Sequence, residues 1–139
     1  MPEDLELTVA SDLGNLARIA EFVAAAAARL GLNEQQTFEV QMAVDEACAN
    51  VMEHAYGPGQ AGEIQIRCET AGDDLVVTIR DQGRPFDPSL VPAPDLSCPL
   101  SERQIGGLGL YFMRRLMDRL EFHFNATGNE LRMYKRRTA

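Results

Sequence analysis

The 139-residue chain has no C-x-x-C pair, no excess of basic residues and no apolar run near the roughly 20 residues needed to cross a membrane. Each absence removes a class. Cys48, Cys68 and Cys98 are odd in number, lie far apart and have no histidine at metal-ligand spacing. They read as reduced thiols rather than a disulfide framework or a zinc site. The 13 basic residues face 21 acidic ones, giving a net charge of -8 and a pI of about 4.7. Binding to a nucleic-acid backbone, which rests on clustered Lys and Arg, is therefore not expected. A basic protein partner suits this balance, although the same charge can serve solubility alone. The segment MPEDLELTVAS lacks the basic stretch and apolar run of a secretory signal. The expected location is cytoplasmic, with no direct nucleic-acid or membrane partner.

What is present is enough apolar material, 45% of residues, for one domain with a core. Leu5, Leu7 and Val9 alternate as in a strand. Ser11-Asp12 offers an N-cap for a helix running to Leu30-Gly31, with Leu13, Leu16, Ala20, Val23, Ala27 and Leu30 as its buried stripe. Asn33 caps a second helix, with Gln36 in the capping-box position. Along it Val40, Val44, Ala47, Val51 and Ala55 form an apolar face, and Glu39, Glu46, Asn50 and Glu53 a polar stripe beside it. Tyr56-Gly57-Pro58-Gly59 ends that helix. A hairpin follows, with Ile64, Ile66 and Cys68 alternating before the turn and Leu75, Val77 and Ile79 after it, closing at Asp81. Residues 82–105 carry five prolines and little periodicity, as a functional loop or lid would. A third helix from about Gly107 to Asp118, a strand through Leu120, Phe122 and Phe124, a turn at Thr127-Gly128-Asn129-Glu130 and a last strand through Leu131 and Met133 complete the chain.

Three stretches carry chemistry. Glu46 and Asn50 are four apart, so on a helix a carboxylate and an amide oxygen project side by side and can hold Mg²⁺ or position a hydroxyl. Asp81 closes a strand and precedes Gln82-Gly83, so its carboxylate can be a buried acceptor for an amine. Gly106, Gly107 and Gly109 crowd a helix start, as where backbone N–H groups approach phosphate closely. Taken singly, each has a plain reading: a solvated helix flank, a turn-initiating aspartate and a hinge. His54, one turn beyond Asn50, reads as a hydrogen-bonded structural histidine. Their order and surroundings together suggest a nucleotide pocket.

The boxes DEACANVMEHAY, DQGRPFD and GGLGLYFMRRLMD resemble the N, G1 and G2 boxes of the GHKL ATPases, the superfamily of gyrase B, Hsp90, histidine kinases and MutL. Within it the chain most resembles the bacterial anti-sigma factor serine kinases of partner-switching systems. The resemblance implies an α+β two-layer sandwich of the Bergerat ATP-binding type, with a mixed, mostly antiparallel sheet packed on three helices. It implies one ATPase domain over residues 1–139, with an ATP lid at about 84–105. Glu46 would be the general base and Asn50 the Mg²⁺ ligand, with Glu46 a second candidate ligand. Asp81 would accept from the adenine amine with Gly83 giving the base room, Gly106, Gly107 and Gly109 would wrap the phosphates, and Phe86 and Leu108 would also bind ATP. The substrate would be a serine of an anti-anti-sigma STAS-domain protein, and a sigma factor or other regulator would be sequestered, with Arg18 as a candidate partner contact. A homodimer through the sheet side is implied as well. Pro85 stands where many members of the superfamily have a second glycine, and the lid's basic residues are Arg84 and Arg103. The competing functional reading is a nucleotide-gated binding module with little or no kinase activity; a plain α/β domain without a ligand is the third.

Overall fold

The computed structural model describes residues 5–57, 61–84, 107–125 and 127–137. Alternating apolar positions form strands β1 (Leu5–Ala10), β2 (Glu63–Ala71), β3 (Asp74–Asp81), β4 (Arg119–Asn125) and β5 (Gly128–Arg136), and helical periodicity forms α1 (Leu16–Arg29), α2 (Glu34–Asn50) and α3 (Gly107–Leu116). The strands lie in the order β1-β2-β3-β5-β4. Every neighbouring pair of the described strands is antiparallel, where a mixed, mostly antiparallel sheet was expected. The α+β fold itself is the expected one.

Register sets the core. Leu7, Ile66, Ile79, Leu131 and Phe122 are aligned across all five strands. On this face Ile64, Ile66, Cys68, Leu75, Val77, Ile79 and Met133 are fully buried against Ile19 and Val23 of α1, Val40 and Val44 of α2, and Leu110 and Met113 of α3. At roughly 1.5–3 kcal/mol per fully buried large apolar side chain, this layer supplies the main stabilisation. The other face is charged, with Arg80 paired to Glu130 at 3.0 Å and Arg119 to Glu121 at 3.0 Å. Arg119 also stacks over the Tyr134 ring at 3.9 Å.

Local signals fix the helix ends. The capping box at Asn33 is formed: Asn33 Oδ1 accepts from Gln36 N at 2.8 Å, and Gln36 Oε1 from Asn33 N at 3.2 Å. Asp12 instead caps a 3₁₀ turn, Leu13–Asn15, which precedes α1. That tighter turn rotates Leu13 off the stripe, leaving it 52% exposed, while Ile19 takes the central buried place. Beyond α2 the chain continues as a π turn over Val51–Ala55, closed by Tyr56 N donating to Val51 O at 3.0 Å. The extra residue in the turn shifts the phase, so Met52 is buried and the expected Val51 and Ala55 are only half-buried. α3 stops at Leu116, two residues short of Asp118, and the turn is secured from β5: Arg136 N donates to Asp118 Oδ2 at 2.6 Å. Lys135 Nζ reaches from β5 to Leu116 O at 2.5 Å and lies 3.5 Å from Glu39 Oε1, tying α3 to α2.

Ile66→Ala, at the centre of the sheet, should cost about 2–5 kcal/mol of unfolding free energy, read from urea denaturation.

Candidate nucleotide site

Where β3 ends beside the end of α2 there is a recess of about 650 Å³ including its open mouth, within the roughly 300–1,000 Å³ of small-molecule sites. Its walls are apolar, from Ala47, Val51, Ile79, Met113, Phe122 and Leu131, and its polar groups come from Asn50, His54, Asp81, Arg84, Asn129 and Glu130. A flat ring between apolar walls with a few polar groups to orient it suits this lining.

Asp81 is 7% exposed. Its Oδ1 accepts from Gly83 N at 2.9 Å and from Asn129 Nδ2 at 2.9 Å. Its Oδ2 takes no hydrogen bond from the described residues, which leaves one acceptor oxygen of this largely buried carboxylate for a ligand donor. The strand pairing that sets Asp81 opposite Asn129 brings these two together. Asn129 also donates to Gly83 O at 3.2 Å and Arg84 O at 3.0 Å, so one amide holds the whole turn after β3.

That turn is fastened to α2 as well. Arg84 N donates to Ala55 O at 2.8 Å, and its guanidinium to His54 O at 3.2 Å. Gly83 is needed for this approach: a Cβ there would lie 2.6 Å from Ala55 O. Its missing side chain thus makes room for the end of the π turn, a packing role distinct from the room for a base expected of it. At Gly128, where φ is +145°, a Cβ would overlap the Asp81 carbonyl oxygen. Tyr56 completes the frame, its hydroxyl donating to Glu63 O at 2.8 Å and accepting from Gln82 N at 2.7 Å.

Asn50 and Asp81 therefore meet in one recess. Glu46 lies one turn before Asn50 on α2, half-buried and outside the lining. Burial, then the nearby carboxylates of Asp45 and Glu53, raise its pKa above the ordinary carboxylate value. His54, expected as a hydrogen-bonded structural histidine, is exposed and lines the recess; its imidazole lies 3.9 Å from Glu53. Gly107, Leu108 and Gly109 form the first turn of α3. Arg18 is exposed on α1, away from the recess. Phe86, Gly106 and the proposed lid beyond Arg84 lie outside the described residues. Asn129 and Tyr56 were not legible as site residues: Asn129 read as a turn and Tyr56 as a helix stop. Only the Asp81–Asn129 register shows what Asn129 is for.

The lining suits the adenine ring of ATP. Oδ2 of Asp81 matches the donor amine of adenine. Among the described residues no three carboxylate, histidine or cysteine side chains cluster as a metal site.

Residues 9–135 match the family described as "Histidine kinase-like ATPase domain". The chain is similar to the serine-protein kinase RsbW of Halalkalibacterium halodurans, 34% identical over 125 residues covering 86% of this chain and 75% of the relative. The RsbW of Bacillus subtilis is 36% identical over 108 residues, 73% of this chain and 67% of the relative. A crystal structure of the RsbU and RsbW domains of a Mycobacterium tuberculosis protein superposes with a TM-score of 0.69 at 17% identity, covering 96% of this chain and 32% of that one.

The raised pKa of Glu46 has a consequence for stability. A carboxyl group whose folded pKa lies above its unfolded one favours folding below the unfolded pKa, and that contribution is lost as pH rises through the folded value. Glu46→Gln should therefore raise the Tm at neutral pH, with the gain shrinking as pH is lowered toward the ordinary Glu pKa of about 4.3. Gly83→Ala should lower the Tm in the same thermal melts, because the new Cβ displaces the Ala55 carbonyl. The sequence matches and the antiparallel sheet with its three helices agree: the chain belongs to the histidine kinase-like ATPase domain family, in its group of RsbW-type serine-protein kinases.

Proposed function

We propose that the protein is a Mg-ATP-dependent serine kinase that phosphorylates an anti-anti-sigma STAS-domain protein and sequesters a sigma factor or a related regulator. The observation that carries the reading is the buried Asp81, with one free acceptor oxygen, in a recess it shares with Asn50. The printed names of the relatives, serine-protein kinase in Halalkalibacterium halodurans and Bacillus subtilis and serine/threonine-protein kinase in Bordetella bronchiseptica, support the phosphoryl-transfer class.

In this reading Asp81 Oδ2 accepts from the adenine amine, and Phe86 and the Gln82-Gly83 turn flank the base. The Asn50 amide oxygen holds Mg²⁺, which when bound neutralises phosphate charge. The backbone from Gly106 to Gly109, at the start of α3, faces the phosphates with its N–H groups and the positive end of the helix dipole. Glu46 orients the attacking serine hydroxyl and takes its proton. The serine oxygen then bonds to the γ-phosphorus as the bond to the β,γ-bridging oxygen breaks, leaving ADP. A raised Glu46 pKa lies nearer neutral pH, which improves a general base. Positioning and charge neutralisation make up most of what such a transfer asks of a protein.

The domain covers residues 1–139, with a lid at about 84–105 that begins at Arg84, the residue anchored to both α2 and Asn129. Arg18 contacts a partner, and two copies pair through the sheet side. No described helix is long and apolar enough to cross a membrane; in this reading the protein works in the cytoplasm. Phe38 and Met42, one turn apart on α2 and 56% and 45% exposed, favour a role in partner binding. They give weight to the second reading, a nucleotide-gated binding module without phosphate transfer.

Incubation with Mg-ATP and the anti-anti-sigma proteins of the same organism should add a single phosphate to a serine of one of them, seen by intact mass, and Glu46→Gln should abolish it. Saturating nucleotide with no mass gain would select the binding module. Asn50→Ala should remove the dependence of ATP affinity on magnesium; a magnesium effect of wild-type size would exclude Asn50 as the metal ligand.

A further inference from the structure

We propose that Asn129 is a positioning residue that sets the purine selectivity of the site: it fixes the Asp81 carboxylate so that a single oxygen faces the base, and it holds the Gly83 and Arg84 carbonyls of the turn after β3. The inference rests on the nucleotide reading of the recess.

One side-chain NH₂, with two hydrogens, is shared among three acceptors. Asn129 Nδ2 donates to Asp81 Oδ1, Gly83 O and Arg84 O at 2.9, 3.2 and 3.0 Å. With Gly83 N as the second donor to Oδ1, that oxygen is saturated and the carboxylate has lost its freedom to rotate. A carboxylate pinned in this way presents Oδ2 alone, an acceptor without a proton to give. Such a group rewards a ligand with a donor at that point and repels one with a lone pair there. Among purine nucleotides this favours the 6-amino group of adenine over the 6-oxo group of hypoxanthine.

The backbone reinforces the geometry. Asn129 sits directly opposite Asp81 in the β3–β5 ladder, and Gly128 before it lets the two strands approach where any side chain would strike the Asp81 carbonyl. The same amide reaches Arg84, whose N–H and guanidinium are bonded to Ala55 and His54 at the end of α2. Asn129 thus joins base recognition to the turn that is fastened to the end of α2. An ordinary turn asparagine would bond within its own turn; this one spends its donors across the sheet on residues 45 to 48 positions away.

The test compares affinities for ATP and inosine triphosphate, measured by calorimetry on the wild-type chain and on Asn129→Ala. Loss of one hydrogen bond to a charged group is commonly worth about tenfold or more in affinity. ATP binding should therefore weaken by about tenfold while inosine triphosphate weakens by less than about twofold, so that discrimination collapses. A purely structural role would weaken both equally, and that result, or an unchanged ratio, would overturn the proposal. If Asn129→Ala fails to fold, the similarly sized Asn129→Leu, which removes the same donor without adding a charge beside Asp81, must show the same collapse. Should the wild-type chain bind neither nucleotide, or both alike, the reading of Asp81 as a base acceptor would fail instead.

Discussion

A carboxylate withdrawn from water must find donors, and the ordering of this site follows from how Asp81 finds them. Its first donor, Gly83 N, lies two residues on and bends the chain into a turn. Its second, Asn129, comes from the neighbouring strand and requires the β3–β5 register to be the one observed. A one-residue slip would carry Asn129 to the opposite face of the sheet and leave Oδ1 half-satisfied. The sheet register and the recess are in this sense a single constraint.

The end of α2 answers to the same turn. The π turn over Val51–Ala55 brings the His54 and Ala55 carbonyls to Arg84, and a glycine at position 83 permits the contact. Because Asn50 is the last residue of α2 before that turn, the polar helix face and the sheet end are linked by a few short hydrogen bonds. π turns recur at functional sites because they break the regular ladder locally and free carbonyls for other partners. Here the freed carbonyls anchor the segment from which the proposed lid begins.

The elements that could be read from the sequence are those governed by local periodicity and capping. The hairpin around Gly72, the capping box at Asn33 and the alternation of Ile64, Ile66 and Cys68 all follow from residue types within a few positions of one another. Leu13, Val51 and Ala55 departed from expectation because a 3₁₀ turn and a π turn changed the helical phase, and neither leaves a clear compositional mark. Asp81 and Asn50 were legible as a pair through their boxes. Asn129 was not, because its meaning depends on a strand pairing 48 residues away in sequence. The sequence suggests that Gly83 makes room for a base, whereas the group that needs the space is the Ala55 backbone.

The central claim, that an adenine nucleotide lies in the recess with its amine on Asp81, is tested most directly by a crystal structure with Mg²⁺ and a non-hydrolysable ATP analogue. The account predicts the 6-amino group within hydrogen-bonding distance of Asp81 Oδ2, the ring between the walls formed by Val51, Ile79 and Met113, and the phosphates between Asn50 and the start of α3. An analogue bound elsewhere on the surface, or a base turned so that no donor meets Asp81, would contradict it.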